Sequence, residues 1–249
     1  MDSIYKNPII PLVSEYNPDN VQYIEHTLKI QDDQGREEIS RMKVPIIGNN
    51  SNDEAFLTFL YKFGRARKCF AWTDGPTLFR KFEMSLEGTY QKLWTRFLDD
   101  LEDVDRDEEL FDLCVANLVS ERYEGDAWSD MVDYLRSIRK PKSLSAKLLL
   151  SRIEEILEAI QQLPNAPDPV VSEEELKRIY LKAFPISWQE NFLHSGRSPG
   201  TTTLTGIRQY MTLQESHANN RTNGGSNNSS GPGNGSGNNR QHQGNNRRG

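Results

Sequence analysis

His26, His194, His217 and His242 are the residues whose chemistry most invites a functional reading, and their spacing argues against one. A zinc or other metal site needs ligands a few residues apart on one element or knuckle. No two of these histidines have that separation and no cysteine stands beside them. Each is expected at a surface or capping position. Cys69 and Cys114 form no Cys-x-x-Cys pair. They are expected to stay reduced, with Cys114 among apolar positions where a thiol packs as a small hydrophobe.

The catalytic signatures fail in the same way. Asp74-Gly75-Pro76 is not the Asp-Thr/Ser-Gly of an aspartic protease, and it reads as a turn. Ser195-Gly196 lacks the preceding glycine of a nucleophile elbow. The alternating glycines from Gly231 to Gly237 have no strand before them and no helix after them, so a phosphate-cradling loop is excluded by context. Asp99 to Asp112 holds nine acids and one base, Arg106. Without a sharply bent loop to converge them, such a run is a solvated connector and not a cation site. These residues assemble no active centre, so the expectation is a protein without catalysis, metal or cofactor.

The remaining chemistry is cationic. Residues 219–249 contain ten asparagines, eight glycines and four arginines with no acid. Taking that +4 from the net charge of −6 leaves −10 on the first 218 residues. The four are Arg221, Arg240, Arg247 and Arg248. So polar a segment buries too little apolar area to offset the entropy of ordering it, which predicts a disordered tail. Its guanidinium groups suit phosphate oxygens. With no aromatic residue to stack on bases, nucleic-acid binding would be weak, salt-sensitive and sequence-tolerant. A plain flexible linker fits the composition equally well.

The elements that carry this tail can be read from periodicity. Pro8, Pro11 and Pro18 predict an extended lead-in. Ile24, His26, Leu28 and Ile30 alternate, Asp32-Asp33-Gln34-Gly35 offers a turn, and Met42, Val44 and Ile46 alternate back, which predicts a β-hairpin. Ser51-Asn52-Asp53-Glu54 resembles a capping box ahead of Phe56, Phe59, Leu60 and Phe63. Apolar faces at helical spacing recur through residue 138, with Gly88 dividing two of them, and Arg139-Lys140-Pro141-Lys142 then interrupts.

Leu149, Ile153, Ile156, Ile160 and Leu163 step four and three residues apart, a seam too short for a secure coiled coil and suited to a small bundle. Ser172 with Glu175 predicts the cap of a helix carrying Leu176, Ile179, Tyr180, Ala183 and Phe184, stopped by Pro185. Trp188, Phe192 and Leu193 come next. Leu204, Ile207, Tyr210, Met211 and Leu213 form the last face, and the apolar pattern stops after Glu215. No run approaches the length of a membrane span, and Met1 to Asn7 lacks the apolar stretch of a secretory leader, so an intracellular, membrane-free protein is expected.

The run from Leu176 to Trp188, then Phe192, Ser195-Gly196, Tyr210-Met211 and Glu215, resembles the end of the capsid region in Gag proteins of LTR retrotransposons. That pattern has a helix, a proline, a tryptophan and a terminal helix with an acidic end, followed by a basic nucleocapsid segment. Val44-Pro45, Trp94, Tyr134-Leu135-Arg136 and Lys140-Pro141 extend the likeness over roughly residues 45 to 217. This chain departs from many such proteins in having no zinc knuckle.

The residues and the resemblance together give a mainly α fold with two small helical capsid-like domains. The extended lead-in and hairpin fill 1–47, the helical domains fill 48–139 and 140–217, and the disordered tail fills 218–249. The resemblance implies self-assembly into capsid-like particles as a homo-oligomer and RNA held by the tail arginines. The competing expectation is a monomeric helical adaptor that binds a partner peptide in a groove and uses the tail as a spacer.

Overall fold

A computed structural model describes residues 8–14, 16–31, 37–99 and 106–224, with backbone alone at 29–31, 37–38 and 221–224. The hairpin lies where alternation placed it. Strand β1 (Tyr23–Gln31) pairs antiparallel with β2 (Glu37–Pro45), in a register that sets Ile24 opposite Val44 and His26 opposite Met42. The turn expected at Asp32 to Gly35 falls outside the described residues. Side chains two apart share a face of a strand, and that face turns Val44 and His26 into the protein.

The rest is helical: α1 (Asp53–Cys69), α2 (Gly75–Glu83), α3 (Gly88–Leu98), α4 (Glu108–Ser120) and α5 (Ala127–Ser137) precede the basic interruption. After it come α6 (Ala146–Ile160), α7 (Glu173–Lys182), α8 (Ile186–His194) and α9 (Leu204–Gly224). In the first group the aromatic periodicity becomes a ring cluster. Phe82 meets Trp94 at 4.6 Å and Phe63 edge-on at 4.9 Å, and Phe111 closes on both Phe79 and Phe82 at 5.4 Å. Edge-on aromatic pairs add roughly 0.5–1.5 kcal/mol each beyond the area they bury.

In the second group the four-and-three seam of α6 is the centre: Leu149, Ile153, Ile156, Ile160 and Leu163 are all buried. Around it pack α1, α5, α7 and α9. Buried side chains from Ile10 to Met211 form one continuous cluster, so the link at 139–145 joins helices that share a core.

Several local expectations need correcting. The cap of α1 is Asn52, whose side chain accepts from Ala55 N at 2.8 Å, while Glu54 is buried and does not reach back to complete a box. Ser172 caps α7 as its sequence suggests, but Glu175 turns away to pair with Arg136. Asp74-Gly75-Pro76 is the start of α2, with Asp74 as cap; the backbone at Arg106 passes so close that a Cβ on Gly75 would lie 1.5 Å from its carbonyl oxygen.

Gly88 does divide two helices. It adopts φ +61°, and α3 is capped from a distance by Asn49, which accepts from Thr89 N at 2.7 Å. The last helix runs on through Gly224, past the boundary placed at residue 217.

The lead-in is more than an approach to the hairpin. Ile10 and Leu12 are buried, and Leu12 N donates to Tyr134 Oη at 2.8 Å. Arg152 of α6 donates to the carbonyl oxygens of Pro11 at 2.8 Å and Leu12 at 3.2 Å. Residues 8–14 therefore form a strap across α5 and α6, and the missing N–H groups of its prolines cost nothing because carbonyls are what Arg152 takes.

Candidate nucleic-acid and assembly surfaces

The strap is tied down by the most buried ion pair described. Glu54 Oε1 accepts from Arg152 Nη1 at 2.8 Å and from Ser14 Oγ at 2.7 Å, with the two charged side chains only 5% and 11% exposed. Glu155 adds a weaker contact to Arg152 at 3.4 Å. α1, α6 and the strap meet here, on one wall of a cavity of about 350 Å³ that Tyr16, Tyr61 and Glu158 also line. A buried pair of this kind contributes little net stability but is expensive to break from one side. The sequence carried one weak sign of it: Arg152 lies directly beside Ile153 of the α6 seam.

The arginines singled out in the sequence are reached only through α9. Arg240, Arg247 and Arg248 lie outside the described residues, as does the side chain of Arg221, whose backbone is in the last turns of α9. The structure thus fixes where their segment begins. Ile207 and Met211, four residues apart, are fully buried, and Tyr210 meets Phe192 of α8 edge-on at 5.3 Å.

One turn later Glu215 anchors the helix. Its carboxylate accepts from Ala146 N, the first amide of α6, at 2.8 Å and from Lys140 Nζ at 2.7 Å. An acid is favoured there because the free amides and aligned peptide dipoles make a helix start electropositive. Tyr180 Oη donates to Ala146 O at 2.8 Å beside this anchor. Burial pushes its phenol proton well above the usual tyrosine range, with Arg208 opposing and Glu215 reinforcing. After Glu215 the side chains at 216, 217, 219 and 220 are exposed.

Two amphipathic faces were candidates for contacts between copies: Ser143 to Leu163, and Leu204 to Gln214. Both are used inside the chain, where α6 and α9 pack on each other. Leu148 and Leu213 are the large apolar side chains these helices leave exposed. On α8, Ile186 is 71% exposed and Leu193, two turns on and so on the same face, is 50% exposed. A groove of about 400 Å³ between α1, α4 and the end of α6 has Leu60, Phe63, Phe111 and Val119 in its lining. Gly64 opens it further, since nothing lies within 4 Å of where its Cβ would be.

His26 is not at the surface. It is buried against Trp72, ring centres 4.8 Å apart and edge-on, and its Nε2 has no hydrogen-bond partner. Burial first, and then the Lys81 ammonium, push its imidazole below the ordinary value. His194 and His217 are exposed, and His242 lies outside the described residues. Cys114 is buried in α4, where burial raises its thiol, and Cys69 is exposed at the end of α1. Among the described residues no three His, Cys, Asp or Glu side chains converge as a metal-holding group, and no helix is long and apolar enough to cross a membrane.

Compared with protein-family models, curated proteins and solved structures, the chain matches none.

Proposed function

We propose that this chain is a Gag-like structural protein of the LTR-retrotransposon kind, which associates with copies of itself and gathers RNA through its C-terminal arginines. The observation that carries the reading is the division of charge along a helical body: −10 over the first 218 residues, then four arginines and no acid. Helix α9 supports it, because Glu215 pins that helix to α6 and the side chains at 216, 217, 219 and 220 beyond it are exposed.

In this reading the body supplies contacts between copies. Since α6 and α9 bury most of their apolar faces within the chain, the exposed Ile186 and Leu193, which share one face of α8, are the apolar pair offered to a copy, with Leu148 and Leu213 as single exposed side chains. Each such contact is weak alone. Repeated through an assembly, it brings many C-terminal segments together and raises the effective concentration of arginine around one RNA. Binding of this sort neutralises phosphates and weakens as salt rises.

The groove between α1 and α4 favours a second reading, a monomeric adaptor that seats an amphipathic peptide helix over Phe63 and Phe111. Multi-angle light scattering of concentrated protein with and without single-stranded RNA separates the two. Large RNA-promoted assemblies are the expected result, and a monomer under both conditions would favour the adaptor.

A further inference from the structure

We infer that the helical body itself carries a nucleic-acid contact: Arg139, Lys142, Lys147 and Lys182 form a cationic collar at the start of α6 that takes the phosphate backbone of single-stranded RNA. The inference rests on the reading that the C-terminal arginines hold RNA, and it extends that site onto the folded protein.

The charge distribution comes first. Residues 134–153 hold six bases and no acid, within a body whose net charge is strongly negative. Three of the six are engaged: Arg136 with Asp133 and Glu175, Arg152 with Glu54 and Glu155, and Lys140 with Glu215. Arg139, Lys142 and Lys147 are exposed, and among the described residues no carboxylate lies within ion-pair distance of them. Exposed cations left in this state keep their full attraction for an outside anion, whereas those already paired have spent it.

Hydrogen bonds bring a fourth cation to the same edge. Arg139 Nη1 donates to Lys182 O at 3.3 Å and Lys140 N to Ala183 O at 2.7 Å, which stitches the 139–145 link to the end of α7. Lys182, exposed and in the last turn of that helix, is thereby set beside Arg139. Lys147 is the second residue of α6, next to the amide that already holds a carboxylate. That carboxylate, Glu215, is taken by Lys140, and Glu174 and Glu175, which share a cavity with Lys182, are taken by Arg178 and Arg136, so among the described residues no carboxylate is within ion-pair distance of the four collar charges.

Continuity decides the partner. Glu215 fixes α9 at this edge, and Arg221, the first of the C-terminal arginines (Arg221, Arg240, Arg247 and Arg248), follows six residues on in the same helix, a rise of roughly 9 Å. A single strand held by those arginines reaches the collar with its next phosphates. None of the four collar residues is aromatic, so the contact is with backbone and indifferent to base.

The test is fluorescence anisotropy of a labelled 20-nucleotide single-stranded RNA across a salt series, using the full-length chain. One variant replaces the collar (R139Q/K142Q/K147Q/K182Q) and another the C-terminal arginines (R221Q/R240Q/R247Q/R248Q). Because Arg139 also bonds backbone carbonyls, K142Q/K147Q serves as a second collar variant, and thermal melts confirm that each protein is folded. Losing four phosphate contacts should lower the slope of log affinity against log salt by about 3 in either quadruple variant, and by about 1.4 in the double variant.

A collar variant that binds like the parent, while the tail variant loses affinity, would overturn the inference and leave the RNA reading intact. Loss in the collar variants alone would keep the collar and remove the tail from the reading. A parent chain that does not bind RNA would end both. Equal binding to phosphatidylserine vesicles, lost in the same collar variants, would reassign the patch to a membrane surface and also overturn the inference.

Discussion

Three residues carry consequences that can be measured singly. His26 is buried with a neutral imidazole favoured, so its folded pKa lies below the unfolded value of about 6.5. Above that pH both states are neutral and the residue is silent. As pH falls below it the unfolded chain takes up the proton first, and stability is lost until the depressed folded value is passed. Urea midpoints of the parent should therefore drop through this window more steeply than those of His26→Phe; matching slopes would show that His26 is not responsible.

Arg152→Ala leaves Glu54 charged and buried without its partner, a loss of about 3 kcal/mol. The paired change Glu54→Leu with Arg152→Met should recover most of it, measured as the difference in unfolding free energy. Gly75→Ala drives a methyl into the Arg106 carbonyl and should cost at least about 2 kcal/mol. A variant as stable as the parent would mean that the 106–107 backbone yields easily.

Among the elements, the strap is the one that sequence periodicity undervalues. Three prolines in a short span predict an extended path, which is non-helical at 8–14 while Pro18 instead opens a short 3-10 turn (Pro18–Asn20), and nothing in them says that the path crosses α5 and α6. That depends on Arg152 and Tyr134, more than a hundred residues away in sequence. Local patterns were readable where partners are local. The alternation of Ile24 and His26 gave the strand and its shared face, and the spacing of Leu149, Ile153, Ile156 and Ile160 gave the buried side of α6.

Capping boxes were misread where a long-range charge outbids the local amide: Glu54 goes to Arg152 and Glu175 to Arg136. Asn49 capping α3 is the same lesson in reverse. At this scale, Ile10→Ala and Leu12→Ala should each destabilise the protein by about 2 to 4 kcal/mol. They should also raise hydrogen exchange at the Leu12 amide, whose partner is Tyr134. Unchanged exchange there would show that the strap is held by its carbonyls alone.

For the whole molecule, the sequence made the division of charge and the helical class legible, while the identity of any surface for association was not. An amphipathic helix looks the same whether its apolar face meets its own chain or a copy, and here α6 and α9 meet each other. The Glu215 anchor was equally out of view, since an acid where an apolar helix face gives way to a polar stretch says nothing of the amide and ammonium that it receives. With it in place, the acidic body grips the first turns of α9, the helix in which the backbone of Arg221 also lies. Sedimentation and negative-stain microscopy of concentrated full-length protein, with and without single-stranded RNA, test the proposed function most directly. The account predicts particles that retain RNA and release it when Arg221, Arg240, Arg247 and Arg248 are replaced by glutamine; isolated monomers with no retained RNA would contradict it.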